Sequence, residues 1–267
     1  MNILKSKRAN LFIILSGIFL TNALIAEIIG VKIFSLESTL GFNPAQIPLF
    51  NNTALDFNLT AGVIIWPIVF ITTDIINEYY GKQGVKKISF LTAGFISYVF
   101  IVIWIVTLLS PAGFWLEVNS IDSNGNSFDV NYAFNTLFRQ GAGIIIGSLV
   151  AFLLGQLLDV YVFHKLRKIT GNKKLWVRAT GSTLVSQLVD SFVVLFIAFY
   201  LLAPNGSAWS VSQVLSVGLI NYIYKFIIAL AITPLLYVAH FIIDGYLGKE
   251  KAGKMMTEAA EKSGTLL

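Results

Sequence analysis

Apolar residues dominate six long stretches of the chain, separated by short polar segments. A helix rises about 1.5 Å per residue, so a run of about 20 apolar residues crosses a hydrocarbon core of about 30 Å. The six stretches reach that length and cover residues 11–34, 58–79, 85–109, 132–163, 175–202 and 211–243. The pattern therefore predicts an all-α integral membrane protein with six transmembrane helices. The fourth and sixth stretches exceed a minimal span, and we expect them to tilt, kink or protrude.

Basic residues predict the orientation of these helices, because Lys and Arg beside membrane spans stay on the cytoplasmic side. Of the 19 Lys and Arg residues, 16 lie before the first stretch, after the sixth, or in and directly beside the connections that join the second to the third and the fourth to the fifth. The other connections contain acids such as Glu37 and Asp122 and no basic residue. We therefore predict a multi-pass protein of the cytoplasmic (inner) membrane with both termini cytoplasmic. Residues 1–248 form the predicted transmembrane domain, and residues 249–267 a polar cytoplasmic tail.

The composition is that of a membrane protein and disfavours a soluble or nucleic-acid-binding protein. Of the 267 residues 56% are apolar and 12% charged, against about 25% charged in ordinary soluble domains, and the mean hydropathy is +0.76. The net charge of +5 comes from the cytoplasmic connections. We therefore predict the lipid bilayer as the surroundings and no nucleic-acid partner. The chain has no cysteine and hence no disulfide or thiolate metal site, and we predict neither a metal site nor a cofactor.

Charged and amide side chains interrupt the predicted spans, where an Asp at a helix centre costs about 2.5 to 3.5 kcal/mol. Such groups should face one another or a water-filled cavity rather than lipid. Secondary transporters hold their substrates near the middle of the bilayer, so polar groups at that depth predict a binding site. Counting from the charged ends of the spans, the residues at that depth are Asn22, Gln187, Asp190 and Asn221, with Lys225 one turn further along.

A second polar set lies nearer the predicted cytoplasmic side. Residues three and four apart share a helix face, so Asp74, Asn77 and Glu78 should converge on one side of the second helix. The fourth helix has Gln and Asp three residues apart in GQLLD, and the fifth repeats this step in SQLVD. We predict gating or ion pairing for the second set, which consists of Asp74, Asn77, Glu78, Arg139, Gln156, Asp159 and Arg178.

Small residues recur at every fourth position of the fourth helix, at Gly143, Gly147, Ala151 and Gly155. A face of small side chains lets another helix approach closely inside a membrane. The pattern predicts close helix packing, either within the chain or across a homodimer.

Three segments together resemble the queuosine precursor transporter family, also called the vitamin uptake transporters. They are TTDIINEYYGK at residues 72–82, GSLVAFLLGQLLDVYVFHKLR at 147–167 and WVRATGSTLVSQLVDS at 176–191. The resemblance implies a six-helix importer of 7-deazaguanine precursors of the tRNA nucleoside queuosine, such as 7-cyano-7-deazaguanine, 7-aminomethyl-7-deazaguanine or queuine. It also implies that Asn22 and Lys32 match polar positions of the family's first helix. Ser191 stands where the family has Thr, which leaves the preferred precursor open.

The polar residues are compatible with such a substrate. A 7-deazaguanine presents N–H donors beside a carbonyl acceptor, so a carboxylate can accept from the donors while an amide or ammonium donates to the carbonyl. Asp190 or Glu27 can accept, and Gln187, Asn22 or Lys32 can donate. Glu27 and Lys32 therefore complete the predicted substrate-binding set.

Two other functions compete with this prediction. Substrate-binding subunits of energy-coupling-factor importers are also small six-helix proteins, and the chain lacks the Gly-x-x-x-x-Gly-Lys-Ser/Thr motif of a transport ATPase. An intramembrane enzyme is disfavoured because His-Glu-x-x-His and Gly-x-Ser-x-Gly are absent. We predict a transporter that is not an enzyme, with proton coupling and facilitated diffusion both open.

Overall fold

A computed structural model describes residues 6–48, 54–139, 142–171, 174–203, 206 and 208–264. Within these ranges five helices are long and apolar enough to cross a membrane, and they are Lys7–Ile29, Trp66–Val106, Val130–Thr170, Leu175–Leu201 and Val211–Leu247. The structure is mostly helical, which agrees with the predicted class of membrane protein. Three of the five are well beyond the length of a simple span, so their internal geometry determines how the chain crosses the bilayer.

The longest apolar helix, α3 (Trp66–Val106), is a helical hairpin. Gly81 has φ 70° and ψ −173°, a conformation open to glycine and strained for other residues. The hydroxyls of Thr73 and Ser89 both donate to Oε1 of Gln156, over 3.4 and 3.5 Å. On a straight helix, residues sixteen positions apart would be separated by about 24 Å. The two arms of α3 therefore run back along each other, and they correspond to the predicted second and third spans.

The other long helices are flanked by shorter elements. The predicted fourth span is divided between α5 (Val130–Phe138) and α6 (Ala142–Thr170), and residues 140–141 lie outside the described part. The fifth span is α7 (Leu175–Leu195), which continues as the π-helical turn Phe196–Leu201. The sixth is α8 (Val211–Leu247), which begins at a capping box made by Ser210 and Gln213. A short helix, α4 (Gly113–Val118), lies in the connection before α5.

The connection between the first two spans is partly β-structure, so the all-α prediction was wrong there. Helix α1 (Lys7–Ile29) ends before residue 34, and β1 (Ile33–Ser35) pairs antiparallel with β4 (Asn58–Thr60). A second ribbon joins β2 (Ile47–Pro48) to β3 (Ala54–Leu55), and the 3₁₀ turn Ala61–Ile64 then leads into α3. Short apolar runs do not distinguish strand from helix by periodicity, which is why both predicted spans extended too far.

Glu37, on the short helix α2 (Leu36–Leu40), stabilises this connection through hydrogen bonds. Its carboxylate accepts from the Phe57 N–H at 2.7 Å, the Ala45 N–H at 3.4 Å and the Ser35 hydroxyl at 3.2 Å. Burial raises the pKa of this carboxyl, but the hydrogen bonds outweigh burial, so the pKa lies below its ordinary value. The charged form therefore holds both ends of the loop.

The small-residue face of α6 packs against α7 within the chain, which is one of the two alternatives that the sequence left open, while the homodimer stays a prediction. A Cβ added at Gly147 would lie 3.0 Å from the Val194 carbonyl oxygen, and one at Gly143 would lie 3.0 Å from Cβ of Leu202. Ala151 is fully buried, and Gly155 faces Asp190. The face Gly143/Gly147/Ala151/Gly155 is thus occupied by the chain's own neighbouring helix.

The predicted tail folds as α9 (Lys249–Gly264), directly after Gly248 ends α8 with φ 87°. Its apolar face is buried, with Ala252, Met255 and Ala259 turned inward, and the helix packs mainly against α3. Two arginines also hold it in place. Arg8 forms an ion pair with Glu258 at 2.9 Å, and Arg167 donates to the Met256 carbonyl at 2.8 Å. The last 16 described residues are therefore part of the helical assembly, while the predicted domain boundary at 248/249 stays a prediction.

Candidate functional site

A cavity of about 380 Å³, including its open mouth, lies between the first arm of α3 and helices α6 and α7. Aromatic rings form part of its wall, and amides, carboxylates and hydroxyls form the rest. Its lining residues are Trp66, Phe70, Thr73, Phe152, Gly155, Gln156, Asp159, Thr183, Ser186, Gln187 and Asp190. This is the largest group of converging polar side chains in the described part of the chain, and we treat it as the candidate binding site.

The two Gln-x-x-Asp segments bring their polar groups to this cavity from opposite helices. On α6, Gln156 and Asp159 are three residues apart and share a face, and Gln187 and Asp190 do the same on α7. Gly155 of α6 faces Asp190: a Cβ on Gly155 would lie 3.8 Å from Cβ of Asp190, an ordinary van der Waals distance. The sequence spacing on the two facing helices places both amides and both carboxylates in one cavity.

The aromatic part of the wall comes from α3 and α6. The rings of Trp66 and Phe70 are nearly parallel, with centroids 5.8 Å apart and an interplanar angle of 19°. Phe152 lies tilted against Trp66, with 6.0 Å between their centroids. Stacked and tilted rings at these distances form a stable apolar surface. Such a surface can hold the flat face of a planar ligand while the polar wall contacts its edges.

Hydrogen bonds within the polar wall leave part of it open to a ligand. Oε1 of Gln156 is occupied by the two hydroxyls from α3, at 3.4 and 3.5 Å. Asp159 accepts from Nδ2 of Asn77 at 3.4 Å and from the Thr183 hydroxyl at 3.5 Å. Oε1 of the buried Gln187 has no hydrogen-bond partner among the described residues. An amide in this condition is a natural contact for a ligand, because a buried unpaired polar group is costly.

An ion pair closes one side of the cavity. Nζ of Lys225, on α8, lies 2.5 Å from Oδ2 of Asp190, and the two side chains are 16% and 22% exposed. Glu27, on α1, accepts from the Ser148 hydroxyl at 2.5 Å and lies close enough to Asp190 for their charges to interact. Three ionisable groups from three helices therefore meet at the edge of the site, where solvent still reaches them.

A second, fully buried ion cluster lies outside the cavity, around Glu78. Arg178 donates to both carboxylate oxygens of Glu78, at 2.7 and 3.1 Å, and Arg167 reaches the same group at 3.4 Å. Arg178 also donates to the Gly171 carbonyl at 2.9 Å. The cluster joins the α3 turn at Gly81, the end of α6 and the start of α7. Its bidentate geometry is the strong form of an Arg–carboxylate pair.

Several residues of the predicted sets lie apart from the cavity. Lys32 and Arg139 are exposed: Lys32 follows the end of α1, and Arg139 follows the end of α5, so neither is inside a helix as the predicted spans implied. Asn22 donates to the carbonyl of residue 18 on its own helix, at 2.8 Å. Asn221, one turn before Lys225, is half-buried and is not among the described lining residues. Asp74 lines a neighbouring smaller cavity.

Sequence reasoning missed the small hydroxyl residues and the aromatic wall from the candidate set. Thr73, Thr183 and Ser186 are buried and line the cavity, yet single hydroxyls barely interrupt an apolar run. A signal was present on α3, where Trp66, Phe70 and Thr73 follow helical spacing and so share one face. Because many apolar residues share that spacing too, the pattern alone did not single them out.

Comparisons with known proteins agree with this architecture. Residues 60–239 match the family model described as "Putative vitamin uptake transporter", and this range contains every residue that lines the cavity. A protein of Bacillus subtilis (strain 168) named probable queuosine precursor transporter is 32% identical over 191 residues, covering 70% of this chain and 75% of that protein. No solved structure matches the chain significantly.

Two further relatives carry related names. A probable queuosine precursor transporter of Haemophilus influenzae is 30% identical over 175 residues, which is 65% of each chain. The queuosine precursor transporter of Escherichia coli (strain K12) is 28% identical over 188 residues, 69% of this chain and 72% of that protein. With transporters as relatives and five apolar helices, the chain is a multi-pass protein of the inner membrane.

Proposed function

We propose that this chain, which belongs to the vitamin uptake transporter family, imports 7-deazaguanine precursors of queuosine across the cytoplasmic membrane. Three relatives are named as transporters of queuosine precursors. The observation that carries the proposal is the cavity of about 380 Å³ with aromatic rings on one side and carboxylate and amide groups on the other.

The chemistry of the cavity suits a planar base with polar edges. Stacking of a base on an aromatic side chain contributes about 1 to 3 kcal/mol, and Trp66 and Phe152 offer such a surface. The carboxylate of Asp190 can accept from the N–H groups on one edge of a 7-deazaguanine. Oε1 of Gln187, which has no hydrogen-bond partner among the described residues, can accept from a further N–H of the base, while its Nε2 can donate to the adjoining carbonyl.

The remaining predicted residues have supporting roles in this proposal. Lys225 orients Asp190 through their ion pair, and Glu27 adds a second carboxylate at the edge of the cavity. Gln156 and Asp159 form the facing wall. The cluster around Glu78 ties three helix ends together on one side of the site, as a gate or anchor would. The predicted roles of Asn22, Lys32, Asn221 and Arg139 lack a corresponding contact with the cavity.

Uptake by the purified chain alone tests the proposed function. We expect proteoliposomes containing only this protein to take up a labelled 7-deazaguanine faster than empty liposomes, with saturation. Guanine should compete weakly, because its ring nitrogen at position seven would lose its hydrogen bond to water on burial. Leaving that acceptor unpaired costs about 1 to 3 kcal/mol of binding free energy. Uptake that needs a separate ATPase would instead support a subunit of an energy-coupling-factor importer. Absence of binding and uptake for all three precursors would contradict the substrate class.

We also propose six membrane spans with both termini cytoplasmic. The hairpin turn of α3 at Gly81 is followed by Lys82, Lys86 and Lys87, and basic residues beside a span stay on the cytoplasmic side. The two arms then count as separate spans, which raises the five long helices to six crossings. The β-ribbon connection after α1, which contains acidic and no basic residues from 33 to 60, would lie outside.

Single cysteines test this topology, because the natural chain has none. A cysteine replacing Ser123, in the acidic connection between α4 and α5, should react with a membrane-impermeant thiol reagent added to intact cells. Cysteines replacing the exposed Lys86 or Thr257 should react only after the membrane is opened. Labelling of the Thr257 variant in intact cells would contradict cytoplasmic placement of α9, and labelling of the Lys86 variant would contradict the hairpin as two spans.

A further inference from the structure

A second cavity, of about 240 Å³, lies beside the candidate substrate site between α3, α7 and α8. One carboxylate and three threonine hydroxyls line it among apolar side chains. The full lining is Ile71, Asp74, Ala179, Thr180, Thr183, Ala229, Ile232, Thr233 and Leu236. Oxygen is the only polar atom type that these side chains present to the cavity.

The carboxylate in this cavity lacks a hydrogen-bond donor on one side. Asp74 is 6% exposed, and its Oδ1 has no hydrogen-bond partner among the described residues. Oδ1 of Asn77, one turn further along the same face of α3, is also without a partner within the described part and is fully buried. A buried carboxylate is stable only when it is paired, coordinated or protonated. Two buried oxygen atoms with unused acceptor capacity therefore lie one turn apart on α3.

With all three carboxylates of this region ionised, the surrounding charges would leave one negative charge in excess. Asp159 on α6 and Glu78 on α3 repel Asp74, and Arg178 on α7 attracts it. Both Arg178 and Arg167 hydrogen-bond to Glu78. The buried group as a whole thus contains three carboxylates and two guanidinium groups. One monovalent cation would balance it, whereas a divalent cation would overcompensate.

The threonine hydroxyls are arranged as acceptors. The Thr233 hydroxyl donates to the Ala229 carbonyl at 3.0 Å, and the hydroxyls of Thr180 and Thr233 are 2.9 Å apart. Since Thr233 uses its proton on Ala229, Thr180 donates to Thr233 and keeps its own lone pairs free. Carboxylate and hydroxyl oxygens are the ligands that hard cations prefer. Among the described residues there is no group of three or more His, Cys, Asp or Glu that could hold a metal ion, so the oxygen ligands here would be one carboxylate and hydroxyls.

We propose that Asp74, Thr180 and Thr233, together with the side-chain oxygen Oδ1 of Asn77, form a binding site for a sodium ion. The site shares a wall with the substrate cavity, since Thr183 lines both and donates to Asp159 at 3.5 Å. A sodium ion there would neutralise the excess negative charge of the buried carboxylates beside the substrate cavity. It would thereby stabilise the arrangement of helices that binds the substrate. This coupling rests on the proposed function, but sodium binding itself does not.

Thermal unfolding of the purified protein in detergent tests sodium binding without any substrate. Sodium chloride is exchanged for choline chloride at constant ionic strength and pH, because the methyl groups on the choline ammonium prevent close coordination by oxygen ligands. A ligand that binds only the folded state raises Tm with the logarithm of its concentration, by about 5 °C at a hundred times its Kd for a protein of this size. We expect that rise with sodium and a smaller one with potassium.

Variants test whether the sodium-dependent rise in Tm arises at this site. Asp74→Asn should abolish the sodium-dependent rise in Tm, and Thr233→Val should shift its midpoint at least tenfold toward higher sodium. Thr92→Val is the matched control, because Thr92 is also fully buried on α3 but lines neither cavity; it should keep the full response. If the Asp74 variant does not fold, Thr233→Val and Thr180→Val decide the question by the same shift.

Three results would overturn the sodium site. One is a Tm that does not depend on sodium. Another is a sodium response that both threonine variants retain unchanged. The third is full stabilisation in choline chloride when the pH is lowered, with no added effect of sodium, which would show that a proton balances the charge instead. The uptake experiment is independent of this one. If deazaguanine uptake fails while Tm still depends on sodium, the proposed substrate is contradicted and the sodium site is not.

Discussion

Replacing Glu78 by Gln should lower the free energy of unfolding by about 3 to 5 kcal/mol, the usual effect of removing one partner from a buried ion pair. Glu78 and Arg178 are each 1% exposed, and Arg167 is 4% exposed. Without the carboxylate, both guanidinium groups would lose the charged hydrogen-bond acceptor that they share in the buried cluster. Because the cluster joins the α3 turn to the adjoining ends of α6 and α7, the loss should affect the whole helical assembly.

The change is measured as the midpoint of thermal unfolding in detergent, together with the fraction of monodisperse protein. Glu250→Gln is the control, because it removes a carboxylate from an exposed ion pair with Lys254 at 2.7 Å, with side chains 83% and 70% exposed. Exposed pairs of this kind contribute about 0.3 to 0.5 kcal/mol. Similar midpoints for the two variants would mean that the buried cluster does not hold the helix ends together.

A double variant separates unpaired charge from lost packing. Arg178→Met in the Glu78→Gln background removes one uncompensated guanidinium and keeps an apolar side chain of similar length. Replacement of buried ion pairs by apolar residues is often neutral, so part of the lost stability should return. If the double variant is less stable than the single one, the hydrogen bond from Arg178 to the Gly171 carbonyl contributes more than charge pairing does.

Periodicity and spacing predicted the main features of the fold because they depend on local geometry. The two Gln-x-x-Asp segments lie on one face of their helices by helical spacing alone, and the structure brings both faces to one cavity. The six apolar stretches likewise correspond to helical arms, although two of them are joined through Gly81 in a single hairpin. No property of the apolar pattern distinguishes such a hairpin from two helices with a loop.

The errors arose where tertiary contacts decided the outcome. Lys32 belongs to a span by composition, but strand pairing between β1 and β4 takes the chain out of the helix just before it. The small-residue face of α6 was ambiguous because the same surface suits any close neighbour, and only the structure shows α7 there. Glu78 and Asp74 are four residues apart on one helix, yet one is fully paired with arginines and the other is not. Such differences between residues depend on the neighbouring helices and cannot be predicted from residue spacing along the chain.

Substituting Asp190 by Asn should weaken uptake of a 7-deazaguanine about 10- to 150-fold. The reason is that a hydrogen bond to a charged group contributes about 1.5 to 3 kcal/mol, and each 1.4 kcal/mol is about tenfold in affinity. Asp190 lines the cavity and is held by Lys225 at 2.5 Å. Its side chain is 22% exposed, so the variant should remain folded. Asp122→Asn, in an exposed turn, is the control and should transport normally.

The ion pair itself could instead be purely structural, and a second substitution distinguishes the two roles. Adding Lys225→Met to Asp190→Asn removes the ammonium that the first change leaves without its partner. If Asp190 acts only by neutralising Lys225, the double variant should regain uptake. If its carboxylate contacts the substrate, uptake should stay low and the apparent affinity for the deazaguanine should remain weak, which is the result we expect. Equilibrium binding to the purified variants, measured alongside uptake, assigns the loss to recognition, because a defect in transport alone would leave the Kd unchanged.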